Sequence, residues 1–340
     1  LDLDVDAANC LPTVGSMHGA FASFMICGHT NKEKDTVLFI DPGFPVHKFQ
    51  TKILGLKMES FDIYEYRGEK LREKLESIFS TGKIHSVLYS NPNNPTWVCL
   101  TDEELKIIGE LANKYDVIIL EDLAYFGMDF RKDYSHPGVA PFQPTVGKYT
   151  DNYILMLSTS KAFSYAGERC AVLGISNKLA ERRYPDLKEF CGQEIFARGI
   201  IFGALHPLSS GTSHSAQYAV AGVMKAVNDG TYNYRDDVLE YGKKAKMMKD
   251  AFTSNGFKFT YDEDLGEPIA DGFYFTYYYP GFTGAELLEK MLYYGISAIS
   301  LDTCGSTRQG IRACTSLIQR DEIPVLAERL KRFAEDHPIE

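Results

Sequence analysis

The sequence predicts an α/β protein: a mostly parallel sheet with helices on both faces, a three-layer arrangement, followed by a smaller α+β unit. Three observations carry this. Residues 37–40, 87–89, 117–120 and 154–157 are continuously apolar rather than alternating, as strands buried on both faces are. Helical stretches lie between them, so successive strands are joined by crossovers and run parallel. Beyond about residue 235 the strands come at wider spacing and the helices lengthen. The expected division is a large unit over residues 1–230 and a small one over 235–340.

Taken in order, Thr13-Val14-Gly15-Ser16-Met17 precedes a helical run over 19–27. The first strand, 37–40, opens onto Asp41-Pro42-Gly43-Phe44-Pro45, and 87–89 onto Ser90-Asn91-Pro92-Asn93-Asn94-Pro95-Thr96. Residues 101–114 read as a helix, with Thr101 and Glu104 in capping-box spacing and Leu105, Ile108 and Leu111 on one face. The strand at 117–120 leads to Glu121-Asp122-Leu123-Ala124-Tyr125, and 154–157 to Ser158-Thr159-Ser160-Lys161. Helices over 215–228 and 234–255 are broken at Asp229-Gly230. The small unit then reads as strands at 257–261 and 272–277, a helix at 286–294, strands at 296–299 and 310–313, and a closing helix at 324–336.

Composition narrows the function. The chain has 340 residues, 44% hydrophobic and 24% charged, ordinary values for a globular protein. A net charge of −10 argues against a nucleic-acid surface, and no apolar run is long enough to span a membrane. The seven cysteines are scattered without a CxxC pair, which favours reduced thiols in a cytoplasm over a disulfide framework or a metal site. Residues 1–6, Leu-Asp-Leu-Asp-Val-Asp, have neither the basic region nor the apolar core of a signal peptide. No GxGxxG follows the first strand, which disfavours a nicotinamide site.

The chemistry-bearing residues fall at strand ends, where open α/β sheets bind ligands. Lys161 stands beside hydroxyls, with Gly167-Glu168-Arg169 shortly after it. Such a lysine can hold an aldehyde cofactor as an imine while hydroxyls and a guanidinium take the cofactor's phosphate. Asp122 is either a helix cap or a carboxylate that keeps a pyridine nitrogen protonated. Tyr125 is either packed or a phenol donor to a ring oxygen. Two Asn-Pro steps in four residues aim Asn94, whose amide can meet a ring oxygen and a substrate carboxylate. Gly15 and Ser16 at a helix start can present N–H groups to an anion or simply cap the helix. Phe44 can stack on a flat ring. Arg312, flanked by Ile311 and Ala313, needs an anion, whether a structural carboxylate or a substrate.

Together these motifs resemble the fold-type I, class I/II aminotransferases that depend on pyridoxal phosphate, over essentially the whole chain and in the family's order. The resemblance implies an aspartate-aminotransferase-like fold and a cytoplasmic homodimer with the active site at its interface. It implies Lys161 as the Schiff-base lysine, with Ser158, Ser160, Arg169 and the amides of Gly15, Ser16 and Met17 on the phosphate. It also implies Asp122 at the ring nitrogen, Asn94 and Tyr125 at the ring oxygen, Phe44 stacked, and a cis bond before Pro95. Arg312, with Asn94, would bind the substrate α-carboxylate. The expected activity moves an amino group from an L-amino acid to a 2-oxo acid. The same machinery supports β-elimination or decarboxylation, and a ligand-sensing regulator with such a domain is a further alternative. Three departures stand out. Trp97 replaces the glycine usual after Asn-Pro-Thr, which alters the pocket's edge. A distal-carboxylate residue has only the candidates Arg198, His206 and Arg308. The family's longer N-terminal portion, which supplies part of the small domain and a tyrosine reaching across the dimer to phosphate, is not represented in the residues before Gly15.

Overall fold

In the computed structural model, which describes residues 1–339, the four apolar runs form the centre of a seven-stranded sheet. Its strands are β1 (Cys10–Thr13), β2 (Thr36–Asp41), β3 (Lys57–Asp62), β4 (Ile84–Ser90), β5 (Ile118–Leu123), β6 (Tyr153–Ser158) and β7 (Ala171–Ile175). Their spatial order is β1-β7-β6-β5-β4-β2-β3. All pairings from β3 through β6 are parallel. Strand β7 returns antiparallel beside β6, and β1 closes that edge antiparallel to β7.

Period-two alternation sorts the central strands onto two cores. Phe39, Leu88, Leu120, Ile154 and Met156 face one layer with Phe24 and Ile26 of helix α1 (Gly15–Cys27). Leu38, Val87, Ile119 and Leu155 face the other, with helix α3 (Glu69–Phe79) and helix α4 (Asp102–Tyr115). Helix α2 (Pro45–Ile53) joins β2 to β3. The capping box of α4 forms as its spacing implies: Thr101 accepts from the Glu104 amide, and Glu104 accepts from that of Thr101.

The small sheet is antiparallel, in the order Ile299–Ser300, Ile311–Cys314, Tyr274–Tyr278, Lys258–Phe259. Two of its strands are reduced to two residues each. The segment expected at 257–261 keeps only Lys258–Phe259, because Tyr261 leaves the sheet and its hydroxyl donates to Asp62 of β3 at 2.6 Å. The strand expected at 296–299 is displaced to Ile299–Ser300, because the Ile296 amide is spent on the Met291 carbonyl at the end of helix Gly284–Tyr293. Helix α1 begins at Gly15, four residues before the expected run, so Ser16 and Met17 lie in its first turn.

A buried polar seam holds the small sheet over the C-terminal ends of the parallel strands. Arg67 donates to both oxygens of Glu104 at 2.7 and 2.9 Å and to Asp264 of the small unit at 2.7 Å. Arg131 takes the other Asp264 oxygen at 2.9 Å, and Thr307 donates to Asp62. Among the described residues, no helix is long and apolar enough to cross a membrane.

Candidate active site

The ends of β2, β4, β5 and β6 and the face of the small sheet enclose a cavity of about 340 Å3. Ser16, Met17, Phe44, Asn94, Asp122, Tyr125, Ser158, Ser160, Lys161, Arg169 and Arg312 all line it, and Gly15 stands directly behind Arg169. The structure thus gathers the residues expected to hold the cofactor and the α-carboxylate around one space. A larger hollow of about 530 Å3 lies in the small unit among apolar side chains and shares Arg312 and Ile299 with this cavity.

The lysine loop is a long turn between antiparallel partners, Ser158 of β6 opposite Ala171 of β7. Thr159 fastens it: its hydroxyl donates to the Cys170 carbonyl at 2.6 Å. This leaves Ser158, Ser160 and Lys161 facing the cavity. Burial lowers the Lys161 pKa, and the positive charges of Arg312 and Arg169 push the same way. Its Nζ lies 4.9 Å from the centre of the Phe273 ring.

One end of the cavity is built for an anion. The first-turn amides of α1 have no partners within the helix, the Ser16 hydroxyl is buried without a hydrogen bond, and Arg169 reaches over them. Gly15, at φ +74°, makes room: a Cβ there would sit 2.2 Å from Arg169 Nη2. An orphaned hydroxyl, free amides and a guanidinium over a glycine are a donor set that fits a phosphate.

At the opposite end Arg312 has no carboxylate partner among the described residues, so the ion-pair alternative does not hold. It donates to Asn94 Oδ1 at 2.7 Å, its Nε is buried without a partner, and its guanidinium lies 4.1 Å from the Tyr274 ring centre. Because Asn94 Oδ1 accepts, its amide NH2 is the end left to donate. The Asn94–Pro95 bond is cis, as is Asn91–Pro92. Strand pairing sets Arg312 opposite Thr276 and Cys314 opposite Tyr274, so Arg312 and Tyr274 are diagonal neighbours on one face. Phe275, Tyr277 and Ile311 point the other way, into the small core.

Asp122 lies between. Its Oδ1 accepts from the Ala124 amide at 3.0 Å, and its Oδ2 is 3.5 Å from His47 Nε2. Gln50 Nε2 donates to the Met17 carbonyl, so its Oε1 faces His47 Nδ1 at 3.3 Å and can only accept. A chain of contacts thus runs from the anion end through His47 to Asp122. Tyr125 donates to the Tyr274 hydroxyl at 3.0 Å, and burial, with that hydroxyl beside it, raises its pKa well above the usual phenol value.

Arg198, His206 and Arg308 do not reach the cavity. Arg198 and His206 are exposed, and Arg308 pairs with Glu65 at 2.7 Å across the seam. Sequence reasoning missed His47, Thr159 and Tyr274. His47 follows Phe44 by three positions, one helical turn into α2, which is the available signal. Tyr274 was hidden in a run of aromatics that reads as sheet packing.

Comparison with known proteins gives the same picture. The family model "Aminotransferase class I and II" matches residues 2–330. A probable aspartate aminotransferase of Methanocaldococcus jannaschii is 28% identical over 178 residues, covering 52% of this chain and 44% of that protein. Glutamate-pyruvate aminotransferase AlaC of Escherichia coli is 28% identical over 247 residues, covering 71% of this chain and 54% of its own length. The chain therefore spans about half the length of the curated relatives it matches. Among solved structures, an aspartate aminotransferase of Thermotoga maritima has a TM-score of 0.73 at 17% identity, covering 98% of this chain and 77% of that one. At that identity the likeness shows the fold.

Proposed function

The chain belongs to the class I and II aminotransferase family, and from that premise we propose a pyridoxal-phosphate-dependent enzyme that moves an amino group from an L-amino acid to a 2-oxo acid. The observation that carries this reading is the set of groups that meet at one cavity. An anion cradle of Ser16, Ser158, Ser160 and Arg169 shares its lining with Lys161, Asp122 and a guanidinium, Arg312, with an unpartnered Nε. Residues 1–230 would form the cofactor-binding domain and 235–340 the small one, whose last residue lies outside the described residues.

Ser16, Ser158, Ser160, Arg169 and the first amides of α1 would hold the cofactor's phosphate, and Lys161 would attach its aldehyde carbon. When bound, the cofactor supplies an electron-withdrawing ring that acidifies the Cα–H bond of the amino acid. Asp122, which accepts from the Ala124 amide and lies 3.5 Å from His47 Nε2, would hold a proton at the ring nitrogen. The Asn94 amide would donate toward the ring oxygen, the Tyr125 hydroxyl would join it by turning its one proton from Tyr274 to that oxygen, and Phe44 would cover the ring's face. Arg312 binds the α-carboxylate through Nε and Nη, with Asn94 Oδ1 fixing the plane of the guanidinium. Lys161 Nζ, whose ammonium form burial disfavours, is the base that takes the Cα proton and returns it on the other side of the reaction.

A homodimer is part of the proposal. Helix His214–Asn228 buries only Ala216 and Val220, while Tyr218 is 79% exposed. Those two buried residues pack on Cys170 and Tyr165 of the lysine loop. A second copy covering this face would close the anion end. The test of function is a panel of amino donors with a 2-oxo acid acceptor, quantifying new amino acid against ammonia. Equal amounts of amino acid and 2-oxo acid products are expected; ammonia or carbon dioxide in their place would show elimination or decarboxylation and overturn transamination.

A further inference from the structure

Trp97 is the only tryptophan of the chain and is fully buried. It adopts φ +65°, a left-handed backbone that disfavours side chains, and its indole N–H has no hydrogen-bond partner. Room for it comes from the other unit: a Cβ at Gly272 would lie 2.1 Å from the indole Cε2. The indole is thus a peg from the large unit in a socket of the small one.

What the peg touches is specific. Its ring meets Tyr125 edge-on at 5.3 Å and Tyr274 at 6.1 Å. Tyr274 carries the Arg312 guanidinium on its face, and its hydroxyl accepts a hydrogen bond from Tyr125. Trp97 also ends the turn that presents Asn94, its backbone N–H donating to the Asn93 carbonyl at 2.9 Å. Of the two supports of Arg312, the Tyr274 ring therefore meets the indole, and Asn94 sits in the turn that the Trp97 backbone closes.

We infer that Trp97 is a positioning residue that fixes the distance between the carboxylate anchor Arg312 and the phenol donor Tyr125 by locking the two units together at Gly272. The inference rests on the roles given above to Tyr125 and Arg312. It implies that recognition of the substrate carboxylate depends on a residue that does not line the cavity. A residue that merely filled space would affect stability alone.

The experiment uses the full chain as wild type, Trp97→Gly and Trp97→Phe. Glycine is at ease at this φ, so the backbone is kept and only the peg is lost; phenylalanine keeps a ring and serves where glycine fails to fold. On protein loaded with pyridoxal phosphate, Trp97→Gly should weaken binding of propionate about tenfold or more, with Trp97→Phe in between. The pH titration of the visible band should move as well, because Tyr125 loses its support, while cofactor affinity stays within about threefold. Unchanged propionate affinity and an unchanged titration in a folded Trp97→Gly protein overturn the proposal. A second arm is independent of the cofactor. In unloaded wild type, propionate should shift the emission of this sole tryptophan saturably, and Arg312→Gln should abolish the shift. An emission indifferent to propionate overturns the coupling; a wild type that forms no visible band overturns the aminotransferase reading and leaves this arm to decide.

Discussion

Gly15→Ala separates fold from site in a single methyl group. The added Cβ would lie 2.2 Å from Arg169 Nη2 and 2.9 Å from its Cζ, well inside contact distance. Those atoms are the far end of a flexible side chain, so the guanidinium gives way rather than the backbone. The backbone cost is that of a side chain at φ +74°, about 1–2 kcal/mol. The site cost is the charge-assisted hydrogen bonding of Arg169 to a phosphate, about 1.5–3 kcal/mol, which corresponds to an affinity about ten- to a hundredfold weaker. Titration of the apoprotein with pyridoxal phosphate, followed by the visible band, reads the second term; urea unfolding of the apoprotein reads the first. The double variant with Arg169→Gln should bind little worse than Arg169→Gln alone, because both changes remove one contact. A Gly15→Ala protein that binds the cofactor within about twofold of wild type would refute the assignment of this end to phosphate.

Three further outcomes follow from the geometry. Glu121 is fully buried, accepts from Thr145 and the Val146 amide, and has its pKa raised by burial from 4.5 to about 7. Between those values the folded chain keeps a proton that the unfolded chain has released, so stability falls as pH rises through that window, by roughly 3 kcal/mol. Glu121→Gln should flatten this part of the urea-stability profile, and an identical slope in both proteins would contradict it. Arg67→Met leaves Glu104 without a cationic partner in the seam and Asp264 with Arg131 alone, and should cost about 3–5 kcal/mol in urea unfolding; a loss below about 1 kcal/mol would show that the seam is not a buried ionic contact. Asp122→Asn should still bind pyridoxal phosphate but turn over at least about a hundredfold more slowly, and near-normal turnover would remove its proposed role.

Much of the molecule is legible in its sequence because local rules and the tertiary arrangement agree. The apolar runs fit only as central strands, and the residues directly after each run must lie at the sheet's C-terminal edge, so local pattern alone places Lys161, Asp122 and Asn94. It does not place strand β3, because Lys57 to Ser60 lie exposed at the sheet's edge and carry no apolar signal; β1, with Pro12 on the opposite edge, is hidden in the same way. The site's missing members depend on distance in sequence. Tyr274 faces the cavity rather than the core because of which side of a two-faced strand it occupies, and a run of aromatics does not reveal that side. The pairing of Trp97 with Gly272 spans the seam between units, and Glu104, read as a helix cap, also serves as the anchor of Arg67. Thr159 shows the same limit within the lysine motif: its role depends on the return of β7, which the apolar pattern does not indicate.

The central claim is that Lys161 is the point of covalent attachment. Protein loaded with pyridoxal phosphate, reduced with borohydride and digested, reports the modified lysine directly by mass. The account predicts the pyridoxyl group on Lys161, with none in Lys161→Ala. Modification of a different lysine, or of none, would contradict it.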